Sequence, residues 1–402
     1  MALRTRPGDV VITHALRTPI GRFLGTLAEM SAADLGTSVC RDLLGRAGLP
    51  AGRVGSVLFG NGRQAGGGPN VARQIAVRAG LSVETPAMTV NMACASGLKA
   101  IALAADEIRL GRSEIVLAGG VESMSGLPYF LPRLRQGYRL GHAPVVDAMY
   151  KDGFHCPLAD LLMGETAEVL AKEFAISREE QDRFALGSQH KSEAARKAGR
   201  FEAELSTVLV PQAKGEPKPF RSDEHARDGA ELASLAKLAP VFDAQAGTVT
   251  AGNSSGITDG AAALLLMRAE TARELGHEPL AVVGPCAEAG VDPRRMGIGP
   301  VPAWAKLERL TGRSLDGYDL IELNEAFAAQ VLACQRLAPL PLERLNVNGG
   351  AISLGHPIGA TGARIAVTLL HELARRDGRQ GLATLCVSGG MGLALAFSRP
   401  KD

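Results

Sequence analysis

Two stretches decide the fold: "CASGLKAIALAADE", residues 94–107, and "GATGARIAVTLLHE", residues 359–372. Each opens on small residues and a glycine, carries a basic residue at the same offset (Lys99 and Arg364), and closes on a glutamate (Glu107 and Glu372). Both read as helices that run through a glycine-punctuated turn to a strand with a Gly-Gly pair, Gly119-Gly120 in one and Gly389-Gly390 in the other. Self-similarity of this kind is the mark of a duplicated unit.

Working outward, strand-like and helix-like segments alternate before the first copy ("DVVITHAL", "ADLGTSVCRDLLGRAG", "VGSVLFGN", "AMTVNMA") and around the second ("LAVVGPCAEAG", "VPAWAKLERLTG", "LIELNEA"). This βαβ alternation predicts an α/β protein with a mostly parallel sheet covered by helices. Between about 125 and 250 the alternation lapses into "GLPYFLPRLRQGY", a polar helical stretch and "PQAKGEPKPFRSDEHARDG". The expected organisation is a first half at 1–124, an insert at 125–250, completion of the first half at 251–275, and a second half at 276–402.

Bulk properties narrow the function. A chain of 402 residues is too long for one small core. With 46% hydrophobic but only 4% aromatic residues and 48 glycines, its interior must be packed with Ala, Val, Leu and Ile. Lys plus Arg (44) nearly balances Asp plus Glu (42) and no basic run occurs, which argues against nucleic acid as a partner. The apolar stretches near Ile101, Ala261 and Leu382 are far shorter than the ~18 residues of a spanning helix. The N-terminus passes directly into a β-rich run without an apolar signal region, so the expected location is cytoplasmic. Six scattered cysteines without a C-x-x-C pair point to thiol chemistry rather than a disulfide framework.

Cys94 follows the strand-like "AMTVNM" and opens the first copy's helix, where free backbone N–H groups and the positive end of the dipole stabilise a thiolate. The plainer alternative is a small buried hydrophobe. In "NGGAISLGHPIG", His356 stands at the mouth of the second copy's helix. If a pseudo-twofold relates the halves, both helix starts face each other, and a thiol beside an imidazole is a nucleophile and base suited to acyl transfer. A capping or core-satisfied histidine is the other reading. Cys386, in "LATLCVSGGMG", sits at the end of a buried strand, either as a third reactive group or as a core cysteine; Cys40, Cys286 and Cys334 read as structural. Asn324, after the strand of "DLIELNEAFAAQ", can cap a helix or hold a water or carbonyl oxygen.

Taken in order, "RTPIGRFLGTL", "CASGLKA", "GGVESMS", "TAGNSSGITDGAAA", "MGIGPVPA", "ELNEAFAAQ", "NGGAISLGHPIGATGAR" and "CVSGGMG" resemble segments of the thiolase family, the acetyl-CoA acyltransferases, from Arg17 to Gly392. The resemblance implies a thiolase fold: two βαβαβαββ halves in five layers, α-β-α-β-α, with a loop domain over the active site. It makes Cys94 the acylated nucleophile, His356 its activator and Cys386 the acid/base at the substrate α-carbon. One oxyanion hole would combine His356 with a water held by Asn324, and the other the backbone N–H groups of Cys94 and Ser388. Coenzyme A contacts would come from Met163, Arg227 and Ser234 in the loop domain, and from Ala251, Ser255, Ala326 and Phe327 along the pantetheine.

Three positions depart from the usual pattern. Ser388 replaces a common glycine, which questions whether its backbone angle is allowed; Leu162 stands before Met163 where many biosynthetic members have histidine; Val347 stands where proline is usual. The expected activity is reversible condensation of two acetyl-CoA to acetoacetyl-CoA, the alternative being a degradative 3-ketoacyl-CoA thiolase of broad chain length. A non-catalytic thiolase-like binding protein is the remote reading. A decarboxylating synthase would place a second histidine where this chain has Cys386. No metal or redox cofactor is expected, coenzyme A being a substrate, and the partners are acyl-CoA and further copies in a homodimer or homotetramer, with no nucleic acid or membrane.

Overall fold

The computed structural model describes residues 5–400, so the outer ends of the 1–124 and 276–402 segments lie outside the described residues. The first half runs β1 (Val10–Arg17), α1 (Ala32–Ala47), β2 (Ser56–Gly60), α2 (Val71–Arg78), β3 (Ala87–Val90), α3 (Ser96–Arg109), β4 (Ile115–Ser123) and, after a long excursion, β5 (Thr258–Arg268). The excursion carries α4 (Met163–Glu173) and α5 (Arg178–Lys197). The second half follows as β6 (Ala281–Gly290), α6 (Pro300–Thr311), β7 (Leu320–Leu323), α7 (Ala328–Leu337), α8 (Ile358–Arg375), β8 (Gln380–Val387) and β9 (Met391–Ser398).

The sheet order is palindromic: β3-β2-β4-β5-β1 continues into β6-β9-β8-β7, with the short strand Gly21–Arg22 added beside β5. Where β3 flanks β2, the second half has a single parallel bridge between Ile321 and Leu345. Only β2/β3, β2/β4 and β7/β8 pair in parallel, whereas β4/β5, β5/β1, β1/β6, β6/β9 and β9/β8 are antiparallel. The expected mostly parallel sheet is therefore corrected to a mixed one. Helix and strand alternation reveals the crossover units, but each half closes with two strands in succession, and these reverse direction.

Strand alternation sorts the core into layers. On β5, Ala262, Leu264 and Leu266 point to the α3/α8 side, and Ala261, Ala263, Leu265 and Met267 to the α1/α2 side. On β9, Leu393, Leu395 and Phe397 face the central helices while Ala394 and Ala396 face α6 and α7. α3 and α8 thus form a buried middle layer shared by both halves. They touch backbone to backbone: a Cβ on Gly97 would meet the Ala363 nitrogen at 2.7 Å, and one on Gly362 the Leu98 nitrogen at 2.4 Å.

The two Gly-Gly pairs are not equivalent. Setting Cys94 against Gly359 is an offset of 359 − 94 = 265, which carries Gly119-Gly120 onto Thr384-Leu385. Gly119 and Gly120 lie inside β4, where a Cβ on Gly120 would strike the Gly359 carbonyl at 2.2 Å. Gly389 and Gly390 form the turn after β8, each with φ of +87°. One pair permits close packing and the other a hairpin turn.

The excursion is tied down by buried polar groups. Arg17 on β1 donates to Glu204 at 2.5 Å and to Asp223 at 2.7 and 3.0 Å, and Ser188 on α5 donates to Glu325 at 2.7 Å. Among the described residues no helix is long and apolar enough to cross a membrane.

Candidate active site

Cys94 sits in a single 3₁₀ turn, Ala93–Ala95, between β3 and α3. Ala93 holds φ at +45°, unusual for a residue with a Cβ, and side chains brace the turn around it. Asn91 Oδ1 accepts from the Ala93 N–H at 3.0 Å, while Ser96 Oγ accepts from the Met92 N–H at 2.9 Å and donates to the Ala93 carbonyl at 2.6 Å. Cys94 is 9% exposed, and its sulfur meets the backbone N–H groups of Ser388 and of Cys94 itself and feels the charge of Arg63. Burial outweighs all of these and pushes the thiol up from its ordinary value. Helix-start donors that favour a thiolate are present, but desolvation keeps the proton on sulfur until a base takes it.

His356 supplies an acceptor of the right kind. Its backbone N–H donates to the Gly256 carbonyl at 3.1 Å, and its Nδ1 lies 2.6 Å from Thr361 Oγ1. Because the Thr361 hydroxyl donates to the Pro357 carbonyl at 2.9 Å, its oxygen is left to accept from Nδ1–H, which assigns the lone pair to Nε2. Asn324 Nδ2 approaches that Nε2 at 3.4 Å. Burial first, then the charges of Arg364 and Arg63, push the imidazole down to about 3, so it stands neutral as a base. Asn324 is not a helix cap: α7 begins at Ala328, and the asparagine ends the β7 connection with its amide toward His356.

Cys386 is the penultimate residue of β8 and is fully buried. Burial first, then Cys94 and Cys334, hold its thiol well above the ordinary value, as suits a group that exchanges a proton rather than one that attacks. It packs with Met163, Met296, Ala326 and Phe327, an apolar corner suited to an acyl chain. Ser388 takes no positive φ, that strain falling on Gly389 and Gly390, so a serine there does not disturb the backbone donor.

Cys94, His356, Cys386 and Ser388 all border one cavity of about 460 Å³. Leu162, Met163, Ala326 and Phe327 line it too, as do Ala251, Ser255 and Arg227. Ser234, on the short helix Leu232–Ala236, is exposed and does not border the cavity. Arg22, Arg63, His225 and Met296 also line it and were not singled out from sequence. Arg22 and Met296 lie in the segments "RTPIGRFLGTL" and "MGIGPVPA" but were not picked out within them, and Thr361, five residues beyond His356 and one turn into α8, could have been suspected as its partner.

Glu122 ties the start of α8 to residues 61–63 of the first half. Its buried carboxylate accepts from Asn61 Nδ2 at 2.6 Å, the Gly62 N–H at 3.1 Å, the Arg63 N–H at 3.1 Å and the Gly359 N–H at 2.8 Å. Burial pushes this carboxyl up to about 7 against the pull of Arg63 and the N–H donors. One side chain of the first half thereby fixes the N-terminus of α8 beside the Cys94 turn.

Residues 10–270 match the thiolase N-terminal domain and residues 277–399 the thiolase C-terminal domain. The chain belongs to the thiolase family. This thiolase is 52% identical over 391 residues to an acetyl-CoA acetyltransferase of Cupriavidus necator, covering 97% of the chain and 99% of the relative. The crystal structure of the Bacillus anthracis acetyl-CoA acetyltransferase superposes with a TM-score of 0.95 at 42% identity, covering 99% of both chains. The human mitochondrial 3-ketoacyl-CoA thiolase in complex with CoA gives 0.93 at 39% identity, covering 99% of this chain and 100% of that one. The thiolase is an acyltransferase, and among its described residues no group of His, Cys, Asp and Glu is placed to hold a metal ion.

Proposed function

We propose that this thiolase interconverts two acetyl-CoA with acetoacetyl-CoA and free coenzyme A through an acyl group on Cys94. The observation that carries the reading is the convergence of Cys94, His356 and Cys386 on one cavity, with the imidazole neutral and its Nε2 lone pair assigned. His356 Nε2 takes the Cys94 proton and keeps it, the thiolate adds to the acyl carbonyl, and coenzyme A leaves with the Cys386 proton. The N–H groups of Cys94 and Ser388 receive the thioester oxygen. In condensation the Cys386 thiolate left by that transfer takes the α-proton of a second acetyl-CoA, and the enolate oxygen accepts from the His356 Nε2–H and from a water on Asn324. Carbon attack on the acyl-cysteine then releases the Cys94 sulfur, which recovers its proton from His356; thiolysis runs the same steps backwards.

Coenzyme A enters past Arg227 and Arg22, whose guanidinium groups suit phosphate, and its pantetheine runs along Ala251, Ser255, Ala326 and Phe327. The inserted 125–250 segment acts as the lid of this site. Leu162 and Met163 favour a second reading within the same chemistry, a wider acyl range, because each buried methylene adds about 0.8 kcal/mol. Six free cysteines suit a reducing, cytoplasmic setting. A homodimer or homotetramer is supported by the edge strand β3, where Met88 is 48% exposed, and by exposed apolar side chains at Tyr129, Leu134 and Leu140; light scattering measures the assembly.

Incubation with acetyl-CoA is expected to add one acetyl group to the peptide containing "NMACASGLK", and acetylation persisting in Cys94→Ala overturns the assignment. Cys386→Ala is expected to keep this acylation but lose solvent exchange at the methyl of acetyl-CoA. Thiolysis of 3-ketohexanoyl-CoA beside acetoacetyl-CoA, with a lower relative kcat/KM for the longer substrate in Leu162→His, tests the chain-length reading; strict acetoacetyl-CoA specificity decides against it.

A further inference from the structure

α8 is buried along nearly its whole length, yet Thr361, Arg364 and Thr368 mark a polar stripe at spacings of three and four residues, which share one helix face. Thr361 holds His356 Nδ1, and Thr368 donates to Glu204 at 3.1 Å, the carboxylate that also binds Arg17. Between them stands Arg364. Its Nε, Nη1 and Nη2 have no hydrogen-bond partner among the described residues, and the nearest carboxylate oxygen, Glu322 Oε2, is 3.5 Å from Nη1 and equally unpartnered.

Glu322 and Asn324 are two residues apart at the end of β7, so both face α8 on the side where Leu320 joins the central core. Asn324 Oδ1 also lacks a partner. Five polar atoms on three side chains, each residue no more than 4% exposed, are thus gathered behind the imidazole. Leaving such atoms bare costs about 1–3 kcal/mol apiece, and a buried cluster that mixes donors with acceptors is the setting in which buried water is retained. The charges around it are Glu325, Glu204, Arg17 and Lys191; burial, opposed by Arg364, lifts Glu322 to about 8.

We propose that Arg364, Glu322 and Asn324 enclose ordered water behind the active site, and that this hydrated cluster positions the Asn324 amide for the reaction. The inference rests on the role proposed above for His356 and Asn324. A side-chain amide has two orientations related by a half-turn, one presenting Nδ2 to His356 and the other Oδ1. Water donating to Oδ1, itself held by Arg364, selects the orientation in which Nδ2 faces the imidazole. Arg364 and Glu322 are positioning residues: the reacting carbon is met by Cys94, His356 and Cys386, and the ion pair acts through Asn324.

A high-resolution crystal structure of the wild-type protein tests the cluster directly, with water expected within hydrogen-bond distance of both Arg364 and Asn324 Oδ1. The kinetic arm uses the double variant Arg364→Met, Glu322→Leu, which removes both buried polar groups together so that neither is left without the other. Expected are an unfolding midpoint within a few degrees of wild type, Cys94 acylation within about threefold, a KM for acetyl-CoA within about twofold, and condensation kcat down by at least about tenfold. Arg364→Lys, which keeps a donor for the water, is expected to recover part of that kcat. A dry Arg364, a double variant with wild-type kcat, or parallel loss of midpoint, acylation and condensation overturns the inference. The crystallographic arm is independent of turnover, so a dry cluster leaves the acyl-Cys94 reading standing. Wild-type protein that takes no acetyl group on Cys94 overturns that reading and leaves the water to be judged by itself.

Discussion

The helix that follows Cys94 and the helix that follows His356 are copies, and they meet back to back, yet the same offset carries different physics in each. Lys99, on α3, pairs with Glu288 at 2.6 Å with the two side chains 28% and 37% exposed. Arg364, on α8, lies 3.5 Å from Glu322 with the two 2% and 5% exposed. The helix starts diverge likewise: the first copy offers a thiol with backbone donors, the second a neutral imidazole fixed by Thr361. The two halves present matching corners, and unlike side chains put a thiol at one and a neutral imidazole at the other.

The sharpest way to break this comparison is His356→Ala, which leaves Cys94 a protonated thiol without its acceptor. Acylation by acetyl-CoA, followed by mass spectrometry in single turnover, is expected to slow by about 10²–10⁴-fold; wild-type acylation would show that the corners work independently.

The second effect is a pH dependence of stability. The folded imidazole lies at about 3, below its unfolded value near 6.5. The unfolded chain therefore binds a proton that the folded chain refuses as pH falls below 6.5, and the stability present above that pH is lost progressively toward pH 3. Thermal unfolding at pH 7 and pH 4.5 is expected to show His356→Gln losing less stability than wild type, by up to about 1.4 kcal/mol per pH unit across the window. Equal losses would mean that another group carries the acid sensitivity.

Gly97→Val probes the contact itself. A Cβ there lands 2.7 Å from the Ala363 nitrogen and 2.9 Å from the Gly359 carbonyl, so overpacking is expected to cost about 1–3 kcal/mol in a denaturant melt and to lower acylation as the helix starts separate. The smallest effect belongs to Lys99→Met: a half-exposed pair contributes about 0–1 kcal/mol, and turnover is expected to stay near wild type. A large loss of turnover there would erase the contrast with Arg364.

Much of the site was legible because its residues lie at local landmarks. Cys94 and His356 stand at helix starts among small residues, and Cys386 at the end of an apolar strand before Ser-Gly-Gly. Ser234 was carried only by the position of one residue in a polar loop, and it lies outside the cavity. Arg63 was missed because it reaches the cavity from a segment that carries no pattern of its own, and Met296 because the pattern of "MGIGPVPA" does not say which of its side chains turns to the cavity. The mixed sheet was missed because alternation orders helices and strands but does not orient the closing pair of strands.

By itself the sequence determined the duplication, the excursion between the halves, and the placing of a thiol, an imidazole and a second thiol at the ends of local elements. Those are properties of neighbours along the chain, written in periodicity, glycine and turn chemistry. Only the tertiary structure decided that Cys94 keeps its proton, that His356 refuses one, that Asn324 turns to the imidazole instead of capping a helix, and that Arg364 is buried where Lys99 is not. Desolvation and electric fields are set by atoms that the fold brings together from far apart in the chain, and no local pattern contains them.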